Sequence, residues 1–169
     1  AKGINLQTAP SLIKQAALSG LWEYDFSNCH FALLAQMAAR YGYQCEAIAH
    51  YLAHKKDTRQ AIAAQAGITE AQAKLCLLAV MYGARASEWH ENAIPEEIGQ
   101  EAAIRLFQVA QFKAISADVG QARRAILTSW PRTTSGRLTN ALGKAIAGNA
   151  KHAEQMGHWL QGTEASVLK

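Results

Sequence analysis

Lys74, Leu78, Tyr82 and Arg85 follow one another at intervals of four, four and three residues, in a stretch that is otherwise apolar and has Lys74 as its cation. At 100° per residue a helix brings these four side chains within about 80° of one another, so they form one stripe. From the lysine to the tyrosine, eight residues on, is about 12 Å, roughly the distance from γ-phosphate to base in a nucleoside triphosphate. A cation at one end of such a stripe can hold phosphate, and an aromatic ring at the other can pack on a base or sugar. The plainer alternative is a lysine snorkelling to solvent beside a tyrosine in the core.

A second chemical feature is charge. Residues 102–153 carry Arg105, Lys113, Arg123, Arg124, Arg132, Arg137, Lys144 and Lys151 against the single acid Asp118, while residues 1–101 carry eight cations against ten acids. A local charge of +7 is the footprint expected of a contact with phosphate backbone, or else a solvated basic face with no partner. Trp130 stands in the polar segment WPRTTSGRLTN of that block, where an indole can stack on a base. Cys45, His50 and His54 include an H-x₃-H pair suited to zinc, but no fourth ligand follows at a familiar spacing. His152 and His158 do not share a helix face. The three cysteines, Cys29, Cys45 and Cys76, sit in apolar patterns, cannot all pair, and are expected to be reduced.

The elements that must position these residues are mostly helical. Of 169 residues, 34 are alanine, half are apolar and 18% are charged, which excludes disorder and suits close-packed helices. Leu21 to Phe26 alternates like a short strand, and Ser27-Asn28 offers a cap for a helix running to about Arg40. Helices are expected over about 46–55 and 58–66, the latter closed by Gly67. Thr69 and Gln72 have capping-box spacing and open a helix to Tyr82 that is apolar on nearly all sides, as a central helix would be. Pro95 with Glu96 and Glu97 marks a helix start, running to about Ile115. Asp118 opens a further helix to Ser129, residues 130–140 form a loop or hairpin, and a last helix covers about 149–168. The expected class is mainly α (α+β), a helical fingers-like bundle with a short palm strand at the N-terminal motif. Without a long apolar run or a leader, the expected setting is the cytoplasm, bacterial or phage-infected, with no membrane partner.

Four stretches resemble one known superfamily. The run from Glu70 through Lys74 to Tyr82-Gly83 resembles the fingers helix of family A DNA polymerases and of the single-subunit phage-type RNA polymerases, whose pattern is Lys, seven residues, then Tyr-Gly. Asp25-Phe-Ser-Asn-Cys-His30, with Leu-Ala following, is similar to their first catalytic palm motif. Gln161-Gly162-Thr163-Glu164-Ala165-Ser166 is similar to their Gln-Gly-Thr-Ala-Ala-Asp helix, and Lys56-Asp57-Thr58-Arg59 stands where they carry Lys-Asp-Ile-His. The matches keep the family's order over residues 20–169. They imply a partial palm over residues 1–45, fingers-like helices and a basic loop over 46–145, and a palm-side helix over 146–169.

The resemblance implies template-directed nucleotidyl transfer in replication or transcription. It makes Asp25 the catalytic carboxylate that binds Mg²⁺, Lys74 the phosphate ligand, and Tyr82 the ring beside the nascent base pair, with Gly83 letting the template approach and Leu78 and His30 lining the nucleotide. Gln161, Arg85, Arg123, Arg124, Arg132, Arg137 and Lys144 would contact primer and template. The departures are specific. Glu70 stands where the DNA polymerases carry a triphosphate-binding arginine, Leu78 where they carry an aromatic, and His30 where their glutamate screens the sugar 2′-hydroxyl; Trp130 to Gly136 is closer to the RNA polymerase branch. The family's second catalytic motif, a histidine–aspartate pair beyond Gln161, has no counterpart, so the isolated chain is expected to be inactive, with remaining polymerase segments or a partner chain supplying that carboxylate. The alternative is a non-catalytic helical module, derived from a polymerase, that binds nucleic acid or a protein partner.

Overall fold

The computed structural model describes residues 28–85, 92–130, 133, 135–146 and 150–167. The expected strand at 21–26, and with it Asp25, lies outside these residues, as do Trp22, Trp89 and Arg132. The described chain is mainly helical: α1 Cys29–Arg40, α2 Glu46–Ala53, α3 Lys55–Ala66, α4 Glu70–Met81, α5 Ala93–Ile98, α6 Gln100–Gln108, α7 Ala110–Ser129 and α8 His152–Val167. The described residues include a single β-bridge, between Thr139 and Ala145, which closes the expected hairpin a little later than the turn residues suggested.

α7 is the axis. Phe112, Ile115, Val119, Ala122 and Ile126 recur at intervals of three and four and are all buried, which makes a continuous apolar seam. α7 packs against α1, α2, α3, α4, α6 and α8. The expected division at 116–118 is therefore corrected: the period runs unbroken through Asp118, which lies inside the helix. The true breaks are at Gly99 (φ 80°) and at Val109, whose extended backbone (φ −65°, ψ 119°) turns the chain between α6 and α7. Val109 gives no sequence signal for a break, because its side chain is simply buried in the core. The expected gap between α2 and α3 shrinks to one residue, His54.

Phe31, Leu34, Ile48, Tyr51, Ile62, Leu77, Met81, Leu106, Phe107, Met156 and Leu160 complete one contiguous core. Phe31 meets Tyr51 edge-on at 5.2 Å between ring centroids, and Phe107 lies 6.3 Å from Phe112. Such pairs add directional preference to burial. Cys45 and Cys76 are buried, Cys29 is half-buried, and all three are free thiols. None of the described helices is long and apolar enough to cross a membrane.

Candidate nucleotide-facing surface

α4 begins as its sequence dictates. Thr69 Oγ1 accepts from the Gln72 amide at 3.1 Å, and the Thr69 amide donates to Gln72 Oε1 at 3.0 Å, so two of the orphan donors of the first turn are satisfied. Its end is equally defined. Gly83 N donates to Val80 O and Ala84 N to Ala79 O, at 3.0 and 2.8 Å, with Gly83 at φ 103°. That pair of bonds needs a left-handed residue after the helix, which glycine adopts without strain. Gly83 thus has a structural task at this position. The chain leaves helical geometry after Met81, so Arg85 does not continue the stripe by helical periodicity. It is exposed, beyond the turn.

The expectation that α4 is central is corrected by its burial. Ala73, Cys76, Leu77, Val80 and Met81 face the core. Relative to Lys74 they occupy an arc from about 200° to 340°, whereas Ala71, Lys74, Leu75 and Leu78 occupy about 0° to 100°. On that second arc Lys74 is exposed, Leu78 half-buried and Leu75 47% exposed; Tyr82, capping the helix, is 44% exposed. A helix can be apolar all round because one face builds the core and the other is presented outward. The tyrosine is not a core residue.

Tyr82 is anchored at its hydroxyl. The group lies 2.5 Å from His30 Nδ1 on the first turn of α1, with the two rings edge-on and 5.6 Å apart. His30 Nε2 in turn lies 3.1 Å from Glu164 Oε2 on α8. His30 and Glu164 are 134 residues apart in sequence, yet one imidazole bridges α4 and α8. Burial, and then the negative charge of Glu164, push the Tyr82 phenol above its ordinary value. The sequence pointed to His30 and Tyr82 separately. Glu164, the third member, was visible only as a departure from the palm-side helix pattern.

A second cluster fixes the turn into α1. Asn28 has a left-handed backbone (φ 57°) and makes no side-chain cap to its own helix. Its Oδ1 accepts from Arg59 Nη2 at 2.8 Å and from the Tyr51 hydroxyl at 3.3 Å, while Arg59 Nε donates to Tyr51 Oη at 2.8 Å. The capping role expected of Asn28 is thus replaced by tertiary bonds from α2 and α3, and Ser27 lies outside the described residues. Arg59, inside the Lys-Asp-Thr-Arg stretch, had no assigned role in the sequence.

The basic block divides into two kinds of cation. Arg123 donates from Nη2 to Val80 O and Met81 O at 3.1 and 3.2 Å, satisfying carbonyls at the C-terminus of α4. Burial lowers its pKa. Arg105 does the same for α3, through Nε to Ala66 O at 2.9 Å. Asp118, the one acid of the block, is buried and turned inward. It accepts from Tyr43 Oη and Ala47 N, both at 2.7 Å, and from Ile48 N at 3.1 Å. Among the described residues of the block, the exposed charges are all cationic: Arg105, whose Nε is held by the Ala66 carbonyl, and Lys113, Arg124, Arg137, Lys144 and Lys151.

On α8, Gln161 is exposed and Gly162 buried. A Cβ on Gly162 would lie 2.3 Å from Asn140 Nδ2 and 2.7 Å from Asn140 Cβ, so the hairpin packs on α8 through this glycine. Trp130 is half-buried against Trp159, with ring centroids 5.2 Å apart, and donates from Nε1 to Thr139 O at 3.1 Å. Its indole is engaged within the fold. Cys45 is buried, its thiol pushed up to about 11 by burial and then by Asp118, and the His50 and His54 rings lie 4.8 Å apart. Among the described residues no group of three His, Cys, Asp or Glu side chains is placed to hold a metal ion. Comparisons with models of protein families, with curated proteins and with solved structures gave no significant match to this chain.

Proposed function

We propose that this chain carries the fingers and part of the palm of a template-directed nucleic-acid polymerase of the family A or single-subunit RNA polymerase type, working in the cytoplasm of a bacterium or a phage-infected cell. One observation carries the reading. Lys74, Leu78 and Tyr82 lie on the outward side of α4, and the tyrosine end is tied to His30 and Glu164, so three stretches singled out independently in the sequence meet at one place. A triphosphate lying along α4 would put its phosphates at Lys74 and its base or sugar at Leu78 and Tyr82. Arg124, Arg137 and Lys144 are free to follow primer and template, with Gln161 on the adjoining helix. Arg123 contributes indirectly, by fixing the end of α4.

The Mg²⁺ that the resemblance implies has Asp25 as its one named protein ligand, outside the described residues, and no step here is routed through a metal. Lys74 supplies charge, Tyr82 and Leu78 supply a packing surface, and His30 fixes the ring.

The test is titration of a fluorescent nucleoside triphosphate into the 169-residue chain with Mg²⁺ present. Lys74→Ala should weaken binding about tenfold, and Lys74→Arg should weaken it far less, as expected when one cation meets a phosphate. Equal affinity for wild type and Lys74→Ala would overturn the assignment. A second reading, a non-catalytic module that binds nucleic acid or a protein, is favoured by Glu70, a carboxylate one helical turn before Lys74. It expects binding to DNA or RNA with steep salt dependence and no triphosphate binding at all.

A further inference from the structure

His30 is 12% exposed and Glu164 36%, on helices at opposite ends of the described sequence. An ionised carboxylate can only accept a hydrogen bond, so its contact with Nε2 requires the imidazole proton on that nitrogen. In the neutral ring Nδ1 is then an acceptor, and the hydroxyl it faces at Tyr82 must be the donor.

We propose that Glu164 is a positioning residue which, through the Nε2–H tautomer of His30, holds the Tyr82 hydroxyl as an inward donor and so keeps the phenol ring facing the nucleotide. The consequence for nucleotides rests on the function proposed above; the placement of the protons does not. Direct removal of Glu164 frees the imidazole to take either tautomer, and Tyr82 loses its fixed acceptor. Adding a second carboxylate at residue 30 beside Glu164 sets two like charges against each other next to the phenol. Among the described residues, the ionisable side chains that hydrogen-bond to the imidazole are Tyr82, at the end of α4, and Glu164 from α8, with Cys29 its neighbour on α1.

Two measurements on the 169-residue chain test this. Nitrogen NMR of ¹⁵N-histidine-labelled protein at neutral pH should find His30 protonated at Nε2, and Glu164→Gln should move that resonance. A Nδ1–H tautomer in wild type, or a spectrum unchanged by Glu164→Gln, would overturn the proposal whether or not nucleotide binds. In the triphosphate titration, Glu164→Ala should weaken binding about threefold and His30→Glu about tenfold, while the double variant His30→Glu/Glu164→Ala returns to within about twofold of wild type, because coupled neighbours are non-additive. A double variant as weak as His30→Glu alone would show that the two positions do not exchange one carboxylate. Absence of triphosphate binding by wild type would sink the nucleotide reading and leave the NMR result to decide the relay.

Discussion

Two acids in this molecule each join distant helices, and they do so in opposite ways. Asp118 is buried on α7 and accepts from one phenol and two backbone amides of α2. Glu164 is partly exposed on α8 and reaches an aromatic side chain on α4 through an imidazole. In the first, the partners include main chain that the helix end leaves unpaired, and the helix dipole adds to the attraction. In the second, every partner is a side chain, and the last of them is 44% exposed. A polar group that completes a helix end maintains the fold. A polar chain that ends on an exposed ring fixes the orientation of a side chain at the surface.

If that distinction is correct, the largest effect on stability belongs to Asp118. Asp118→Ala should cost about 3 kcal/mol, since it strands three donors, two of them on the first turn of α2. Asp118→Asn keeps an acceptor and should lose roughly half as much. Urea denaturation measures both, and a loss under about 1 kcal/mol for Asp118→Ala would erase the contrast between the two acids.

Gly162→Ala comes next, at about 2 kcal/mol. The new methyl would meet Asn140 Cγ and Cβ as well as its amide nitrogen. Asn140 cannot swing aside cheaply, because its Oδ1 holds the hairpin turn by accepting from Leu142 N and Lys144 N at 3.1 and 2.9 Å. A thermal melt of the variant should show the loss, and an unchanged midpoint would mean that hairpin and α8 are not in this contact.

Alkaline pH should weaken the fold through protonated groups buried beside Asp118 and on the core face of α4. Burial, followed by Glu97, pushes the Cys76 thiol up to about 11. Cys45 is pushed to about 11 by burial and Asp118, and Tyr43 to about 12, mostly by its hydrogen bond to Asp118. All three hold their protons more tightly folded than unfolded. Their contribution is therefore fully present below the unfolded thiol value near 9 and is lost as pH rises toward 11 to 12. Denaturation at pH 7 and at about pH 10.5 should differ by on the order of 2 kcal/mol, with Cys76→Ala reducing the difference. A flat profile would place these groups in water.

What the sequence made legible follows the range of the signals involved. The capping box at Thr69, the left-handed close at Gly67 and the extent of α1 depend on neighbours within a turn, and each was readable. The course of α7 is legible in the seam at Phe112, Ile115, Val119, Ala122 and Ile126, but Asp118 is also a residue type that caps helices, and that local signal points to a start where the helix in fact continues. Composition does not say that a helix end lies opposite Arg105 and Arg123. Of the candidate site, Lys74, Tyr82 and His30 could be named from pattern and resemblance, but their link through Glu164 spans the whole described chain, and no local periodicity carries it.

The smallest effect sharpens the comparison most, and it falls on α4 itself. Leu75 and Leu77 are two residues apart, one 47% exposed and the other fully buried. Leu77→Ala should cost about 3 kcal/mol through lost burial and the cavity left behind. Leu75→Ala removes a side chain that packing does not hold, and should change stability by less than about 0.5 kcal/mol. Composition treats the two leucines alike, so only the orientation of α4 separates them. If Leu75→Ala instead destabilises the chain like a core substitution, the outward arc that carries Lys74 and Leu78 is covered by protein, and no nucleotide can lie along it.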